Sequence, residues 1–430
     1  VPEETEPEEA ASEPTVPEAV PEPVELRVAS HTAVPVITTR EAYLDAVAAL
    51  AAGSGPVAVD AERASGFRYS QRAYLIQVFR RGAGTFLFDP PEIESFAELQ
   101  QAIGSVEWVL HAASQDLACL REVGLDPELI FDTELGARLL GLPRVGLGAV
   151  VAELLGIHLA KEHSAADWST RPLPQSWLDY AALDVELLVD VRDVLAARLE
   201  EDGKSEIARQ EFAAVRDRAE KPAAAEPWRR LSGVHTLRSA RSLAVARELW
   251  LARDRLGREK DIAPGRLVPD SALMAAARAM PTRKGELMAI KEFNGRASRS
   301  ASDIWWAAIE AGLASEDLPA MRVPSATLPP PRAWADRNPE ADLRLKAARG
   351  AVIERAEALN LPVENLLTPE TLRRVAWTAL PEQTPEAVAA ILVELGARPW
   401  QIEQTAQLIA QAFVDIPQEA PEEPTADSLE

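Results

Sequence analysis

Residues 56–63 read PVAVDAER. Val57 and Val59 lie among small residues, as a buried strand requires, and the run then closes on Asp60 and Glu62, two positions apart. Side chains two apart on a strand share a face, so these two carboxylates are aimed at one place, where they repel each other. Such a strand end is either a pair of solvated acids or one edge of a cation site, and the surrounding sequence decides which.

From Val34 to about Gly203 strands and helices alternate. TTREAYLDAVAALAAG predicts a helix with Thr38 or Thr39 as its N-cap and Gly53 as its end. PVAVDAE, AYLIQVFR and TFLFDP predict three strands, the last two joined by a turn carrying Gly82 and Gly84. A helix is predicted near 93–103, then the short strand EWVLHA, then helices near 114–123, 133–141, 146–155 and 174–200. Three strands in a possible antiparallel meander followed by helix–strand alternation predict an α/β domain, a mixed sheet flanked by helices. From Trp228 onward the pattern is helical only. Segments 236–256, 270–279, 283–291 and 299–311 precede the Pro-rich PSATLPPPRAW, and 340–359, 369–378, 384–395 and 399–413 follow it. Two blocks of similar order form a weak internal repeat.

Two further segments bear on the acidic pair. In VLHAASQDLACL a strand ends at His111, Ser114 can cap the next helix, and Asp116 lies in its first turn, three residues before Cys119 and four before Leu120. An acid in a first turn is favoured by the helix dipole alone, but this one falls on the side of the helix that carries Cys119 and Leu120. In LPQSWLDYAALDVELLVDVRDVLAARL, residues Trp177, Tyr180, Ala181, Leu187, Leu188, Val191, Val194 and Leu195 form one apolar stripe at helical spacing, with Asp184 in its middle. A carboxylate at a core position is costly unless it is paired or holds a metal. Converging carboxylates need raised pKa values or neutralising cations. Hard oxygen ligands, with a single cysteine and five histidines in the chain, favour Mg²⁺ or Mn²⁺ over Zn²⁺. Two such ions roughly 4 Å apart suit in-line attack on a phosphodiester, and Tyr180 can orient the attacking water.

DAE (60–62), HAASQD (111–116) and YAALD (180–184) resemble the three exonuclease motifs of the DEDD superfamily, and a Tyr four residues before the last Asp marks its DEDDy branch. YLIQV (74–78), IFDTELGARLLG (130–141) and DWSTRPLPQSWLDYAALDV (167–185) resemble the ribonuclease D family. The resemblance implies an RNase H-like fold, metal ligation by Asp60, Glu62, Asp116 and Asp184, water positioning by Tyr180, and Mg²⁺ or Mn²⁺ as the two divalent cofactors. It implies 3′–5′ hydrolysis of RNA from a single-stranded 3′ end, with tRNA precursors as the substrate class. The helical half resembles tandem HRDC modules, which bind nucleic acid. The expected division is an acidic tail at 1–30, the nuclease at 31–227, one HRDC module at 228–315, a Pro-rich linker at 316–334, a second HRDC-like module at 335–415 and an acidic tail at 416–430.

Charge fits this division. The net charge is −23, but residues 228–314 hold sixteen Lys/Arg against nine Asp/Glu, a basic module suited to a phosphate backbone. Residues 315–410 hold ten against thirteen, so the second module is expected to brace the architecture more than bind RNA. Residues 1–30 hold nine Glu and one Arg, and 411–430 six acids and no base; both Pro-rich tails are expected to be disordered. No run approaches the roughly 18 apolar residues of a membrane span, and the first residues lack the basic and apolar regions of a secretory signal, so a cytoplasmic protein is expected. Cys119 is expected to be a small core residue. Tyr74, Gln77, Lys161 and Arg171 are candidate RNA contacts, each with a core or surface alternative. Asp132 or Thr133 can cap the helix that follows, and the family resemblance leaves Asp132 a possible supporting role at the active site. His111 and His163 are not required by a two-cation mechanism. Two other classes share these residues: a DNA exonuclease, and a noncatalytic RNA-binding protein with a retired site.

Overall fold

The computed structural model describes residues 34–159, 165–219, 222, 224–293, 295–322 and 328–416. Residues 1–33 and 417–430, which hold most of both acidic tails, and Lys161 and His163 therefore lie outside the described residues, while residues 411–414, expected to be disordered, belong to a helix. Six strands form one mixed sheet: β1 (Val36–Ile37), β2 (Ser54–Arg63), β3 (Ala73–Arg81), β4 (Gly84–Phe88), β5 (Glu107–Leu110) and β6 (Leu129–Asp132), in the order β1-β4-β3-β2-β5-β6. The expected meander is β2-β3-β4, antiparallel throughout. The β3–β4 turn has Gly82 and Gly84 at φ 82° and 97°, where a side chain would be strained. β2–β5 and β5–β6 are parallel.

Helix α1 (Arg40–Ala52) begins where Thr39 accepts the Ala42 N–H and ends at Gly53. α2 (Ala97–Ile103), α3 (Leu117–Glu122), α4 (Thr133–Leu139) and α5 (Leu147–Leu155) follow. The helix expected over 174–200 is two helices, α6 (Gln175–Glu186) and α7 (Leu188–Glu201), joined at Leu187. No Gly or Pro marks that break. It allows α6 to cover β2, β3 and β4 while α7 packs on α4, α5 and β5. The sequence reading also missed β1, β6 and α8 (Ser205–Arg216), which are too short or too polar to stand out.

The period of two divides the sheet cleanly. Val57, Val59, Ile76, Val78 and Phe88 enter the main core with Tyr43, Leu50 and Leu99. Ala58, Leu75 and Val109 face the other way, against Leu178, Ala181, Val185 and Leu188 of α6 and α7. Asp60 and Glu62 belong to this second face, opposite Gln77 and Leu75 of β3.

Beyond residue 227 the described residues are helical. The first module comprises α9 (Ala240–Lys260), α10 (Pro264–Leu267), α11 (Asp270–Ala279), α12 (Lys284–Ala289), α13 (Arg296–Ser300) and α14 (Ser302–Ala314). They close around a core that includes Trp228, Leu249, Leu273, Phe293 and Trp305. The second comprises α15 (Trp334–Arg337), α16 (Pro339–Ala358), α17 (Val363–Leu366), α18 (Pro369–Trp377), α19 (Pro385–Glu394) and α20 (Pro399–Val414). Its core residues, among them Trp334, Val352, Leu392 and Trp400, are continuous with the main core of the nuclease half. No helix among the described residues is long and apolar enough to cross a membrane.

Candidate active site

The parallel strands β2 and β5 end side by side. Asp60 and Glu62 stand at the end of β2, and the turn after β5 carries the chain through His111 to Asp116, which begins α3. Ser114 makes no capping bond there; Asp116 itself occupies the N-cap position. α6 lies across this face and brings Tyr180 and Asp184 to the same point. Carboxylate oxygens of Asp60, Glu62 and Asp184 lie within 4.8 Å of one another. Asp116 lines the same cleft of about 360 Å³, together with Arg63, His111 and Tyr180.

Burial and mutual repulsion govern the electrostatics. Loss of water pushes the Asp60 carboxyl up to about 6, although the Ala61 N–H and Arg63 oppose the shift. Asp184 is pushed up to about 8 by burial and by Asp60. Glu62 is raised by burial and by the charges of Asp60, Asp184 and Asp116, and Asp116 by burial and Asp60. Tyr180 hydrogen-bonds Asp184, and its phenol is raised by burial and that carboxylate. Arg63 lowers Asp60, Glu62 and Asp116. Sequence reasoning passed over this arginine although it directly follows the motif. No signal in the sequence marked it: the β2–β3 register shifts between Glu62 and Arg63, which sequence periodicity does not announce. An all-oxygen set of crowded carboxylates with raised pKa values is one that hard divalent cations would keep ionised and occupy.

Other candidates lie elsewhere. Tyr74 is 4% exposed and donates its hydroxyl to Asp261 Oδ2 of the first helical module at 3.1 Å. Gln77 is fully buried on the strand facing Asp60. Neither offers a surface to RNA, because helices cover both faces of β3. Arg171 holds the buried Asp89 in a bidentate pair at 2.7 and 2.8 Å and donates to the carbonyls of Tyr74, Trp168 and Thr170. It buttresses the loop and is not a free phosphate ligand. Asp132 caps α4 through the Glu134 and Leu135 N–H groups. His111 Nδ1 lies 2.8 Å from Thr133 Oγ1, and burial lowers its pKa to about 4, so the ring is neutral near pH 7. Cys119 is a buried thiol pushed up to about 12, an inert core residue.

The fold and the acidic cleft define a 3′–5′ exonuclease. Residues 35–200 match the family model described as 3′-5′ exonuclease, residues 242–309 the HRDC domain, and residues 327–413 a model described as the 3′ to 5′ exonuclease C-terminal domain. The chain is 31% identical over 346 residues to ribonuclease D of Pseudomonas paraeruginosa, covering 79% of this chain and 87% of that protein. A crystal structure of a protein from Bifidobacterium adolescentis superposes with a TM-score of 0.83 at 38% identity, covering 91% of this chain and all of the other. Escherichia coli RNase D, an exoribonuclease involved in structured RNA processing, superposes with a TM-score of 0.63 at 26% identity, covering 90% of this chain and 100% of that one. The chain belongs to the ribonuclease D family. The second helical module thus matches a C-terminal model of its own, while the HRDC match falls on the first.

Proposed function

We propose that this protein removes nucleoside 5′-monophosphates one at a time from single-stranded RNA 3′ ends, tRNA precursors among them, with Asp60, Glu62, Asp116 and Asp184 holding two Mg²⁺ or Mn²⁺ ions. The observation that carries the proposal is the convergence of Asp60, Glu62 and Asp184 within 4.8 Å in a cleft that Asp116 also lines. Such ions, when bound, lower the pKa of a water and stabilise the leaving oxygen. The charge of Asp60 acts on Glu62, Asp116 and Asp184 alike, and its carboxylate would help to hold both ions. Tyr180, hydrogen-bonded to Asp184, is suited to orient the attacking water. Arg63 adds the positive charge that a phosphate approaching four acids requires.

In this reading residues 31–227 perform the chemistry and the module at 228–315 holds the body of a structured RNA by phosphate contacts. Residues 316–334 link it to the second module, 335–415, which braces the nuclease. Escherichia coli RNase D is an exoribonuclease involved in structured RNA processing, which supports folded precursors as substrates. The test is cleavage of a 5′-labelled, 3′-extended tRNA with Mg²⁺, Mn²⁺ or EDTA, using wild type and Asp184→Asn. A metal-dependent ladder shortening from the 3′ end is expected. The mutant should lose more than about 100-fold, beyond the 10–100-fold typical of groups that only support a ligand. Binding without shortening would assign a noncatalytic role. Degradation of a matched DNA strand with the tRNA left intact would assign DNA repair.

A further inference from the structure

The turn that delivers Asp116 is built on an unusual residue. After Leu110 the chain reaches Ala112 at φ 60°, ψ 51°, a left-handed conformation that an alanine adopts only at steric cost. One 3-10 turn, Ala113–Gln115, follows and ends at Asp116. Sequence spacing gives no hint of what holds this turn. The structure supplies it from the neighbouring strand, where Asp132 lies in register with Leu110. Asp132 Oδ1 accepts the Ala112 N–H at 3.1 Å and Oδ2 accepts the Ala113 N–H at 2.9 Å. The same Oδ1 accepts the Glu134 and Leu135 N–H groups at 3.0 and 3.1 Å. One carboxylate, 4% exposed, thus gathers four backbone N–H groups from two segments. Beside it Thr133 Oγ1 donates to the Leu110 carbonyl at 3.1 Å, pinning the end of β5.

Capping α4 uses Oδ1 alone. Oδ2 serves only the turn. Asp116 is three residues beyond the amide it holds, and the Asp116 N–H returns to the Ala113 carbonyl at 3.1 Å. Asp116 is repelled by Asp60, and the field of Asp132 adds to that repulsion. Asp132 therefore helps this site by geometry and not by charge.

We propose that Asp132 is a positioning residue for the exonuclease reaction: through Oδ2 it fixes the left-handed turn at Ala112–Ala113 and so holds Asp116 at the cleft against the repulsion of the other carboxylates. The proposal rests on the two-cation reading above. It is separable from helix capping because Asn caps a helix as well as Asp does. In Asp132→Asn an NH₂ group replaces one acceptor and faces a backbone N–H, whichever way the amide turns.

The experiment compares wild type, Asp132→Asn and Asp132→Ser, the last a capping residue too short to reach Ala113. Hydrogen exchange in EDTA should show amides 110–116 exchanging at least about tenfold faster in both variants, with the amides of α4 unchanged. On a 3′-single-stranded oligoribonucleotide, kcat should fall about 10–100-fold with KM within about two-fold, and the half-saturating Mg²⁺ concentration should rise. Wild-type exchange rates together with wild-type kcat would overturn the proposal. So would loss of the fold in both variants, which would assign Asp132 to the stability of the whole domain. If wild type itself cleaves nothing, the functional reading fails, and the exchange data still decide whether Asp132 holds the turn.

Discussion

The first helical module meets the nuclease through a polar seam, whereas the second shares its core. On the nuclease side the seam is the loop between β2 and β3, which leaves directly from the acidic motif. Tyr69 donates to Asp254 at 2.8 Å, and the Ser70 N–H and Tyr74 hydroxyl both donate to Asp261, at 2.8 and 3.1 Å. The Ala263 N–H reaches the Phe67 carbonyl at 3.0 Å, and Arg266 donates to the Gly66 carbonyl while stacking over Phe67 at 3.9 Å. The second module instead inserts Trp400, 3% exposed, whose indole donates to Glu211 of α8 at 2.7 Å. Arg398 grips the same carboxylate twice, at 2.5 and 2.7 Å. Lys204 donates to the Asn360 carbonyl at 3.3 Å, and the Asn360 side chain donates to the Leu140 carbonyl at 3.2 Å. The two modules have similar sequence patterns, yet one keeps a core of its own and meets the nuclease through polar contacts that water can replace, while the other adds to its hydrogen bonds a continuous apolar core that water cannot replace. The basic module thus keeps a core of its own, and the near-neutral one shares the core of the nuclease.

The strongest way to break this comparison is Trp400→Ala. It should destabilise the nuclease and second module together by about 3–5 kcal/mol, roughly 10 °C in calorimetry, while a separate transition of the first module stays in place. A nuclease transition that does not move would show that the shared core is not cooperative.

The cleft offers a second probe of the same shared transition. In EDTA, Asp60 and Asp184 titrate at about 6 and 8 in the folded protein against 3.8 for an ordinary Asp. Over that range the native state holds protons that the unfolded chain has released. The stability these groups contribute is present at low pH and is lost as pH rises from about 4 to 8. The melting temperature of the nuclease should fall across this window and that of the first module should not. Mg²⁺ at 100 times its Kd should restore about 2.7 kcal/mol, and a midpoint that climbs with pH in EDTA would overturn the account.

The smallest effect is expected at the seam. Asp261 has φ 48°, so Asp261→Gly keeps the backbone conformation and removes both acceptors. A loss of about 1–2 kcal/mol is expected in the seam alone. KM for a structured, 3′-extended RNA should rise a few-fold, and KM for a short oligoribonucleotide should not move. Equal change on both substrates would mean that the seam shapes the cleft and not the RNA path.

Local pattern was enough for most of the site. The alternation in β2 put Asp60 and Glu62 on one face, and the apolar stripe of α6 put Tyr180 and Asp184 together on another. Both follow from the fixed periods of strand and helix, which neighbours in sequence obey whatever surrounds them. The same periods could not tell that Tyr74 and Gln77 would be covered, or that Arg171 would close on Asp89, since each depends on a partner far along the chain. They could not announce the break at Leu187, which lets α6 lie over β2, β3 and β4 while α7 packs on α4, α5 and β5.

By itself, then, the sequence determined the mixed sheet, the five residues of the acidic motifs and the presence of two helical modules, one basic. Only the tertiary structure decided that these carboxylates share one cleft with Arg63, that Asp132 reaches across from β6 to the turn before Asp116, and that one module keeps its own core behind polar contacts while the other shares the core of the nuclease. The reason is physical. Periodicity records which face of an element is apolar, whereas which faces meet is settled by packing between elements distant in sequence.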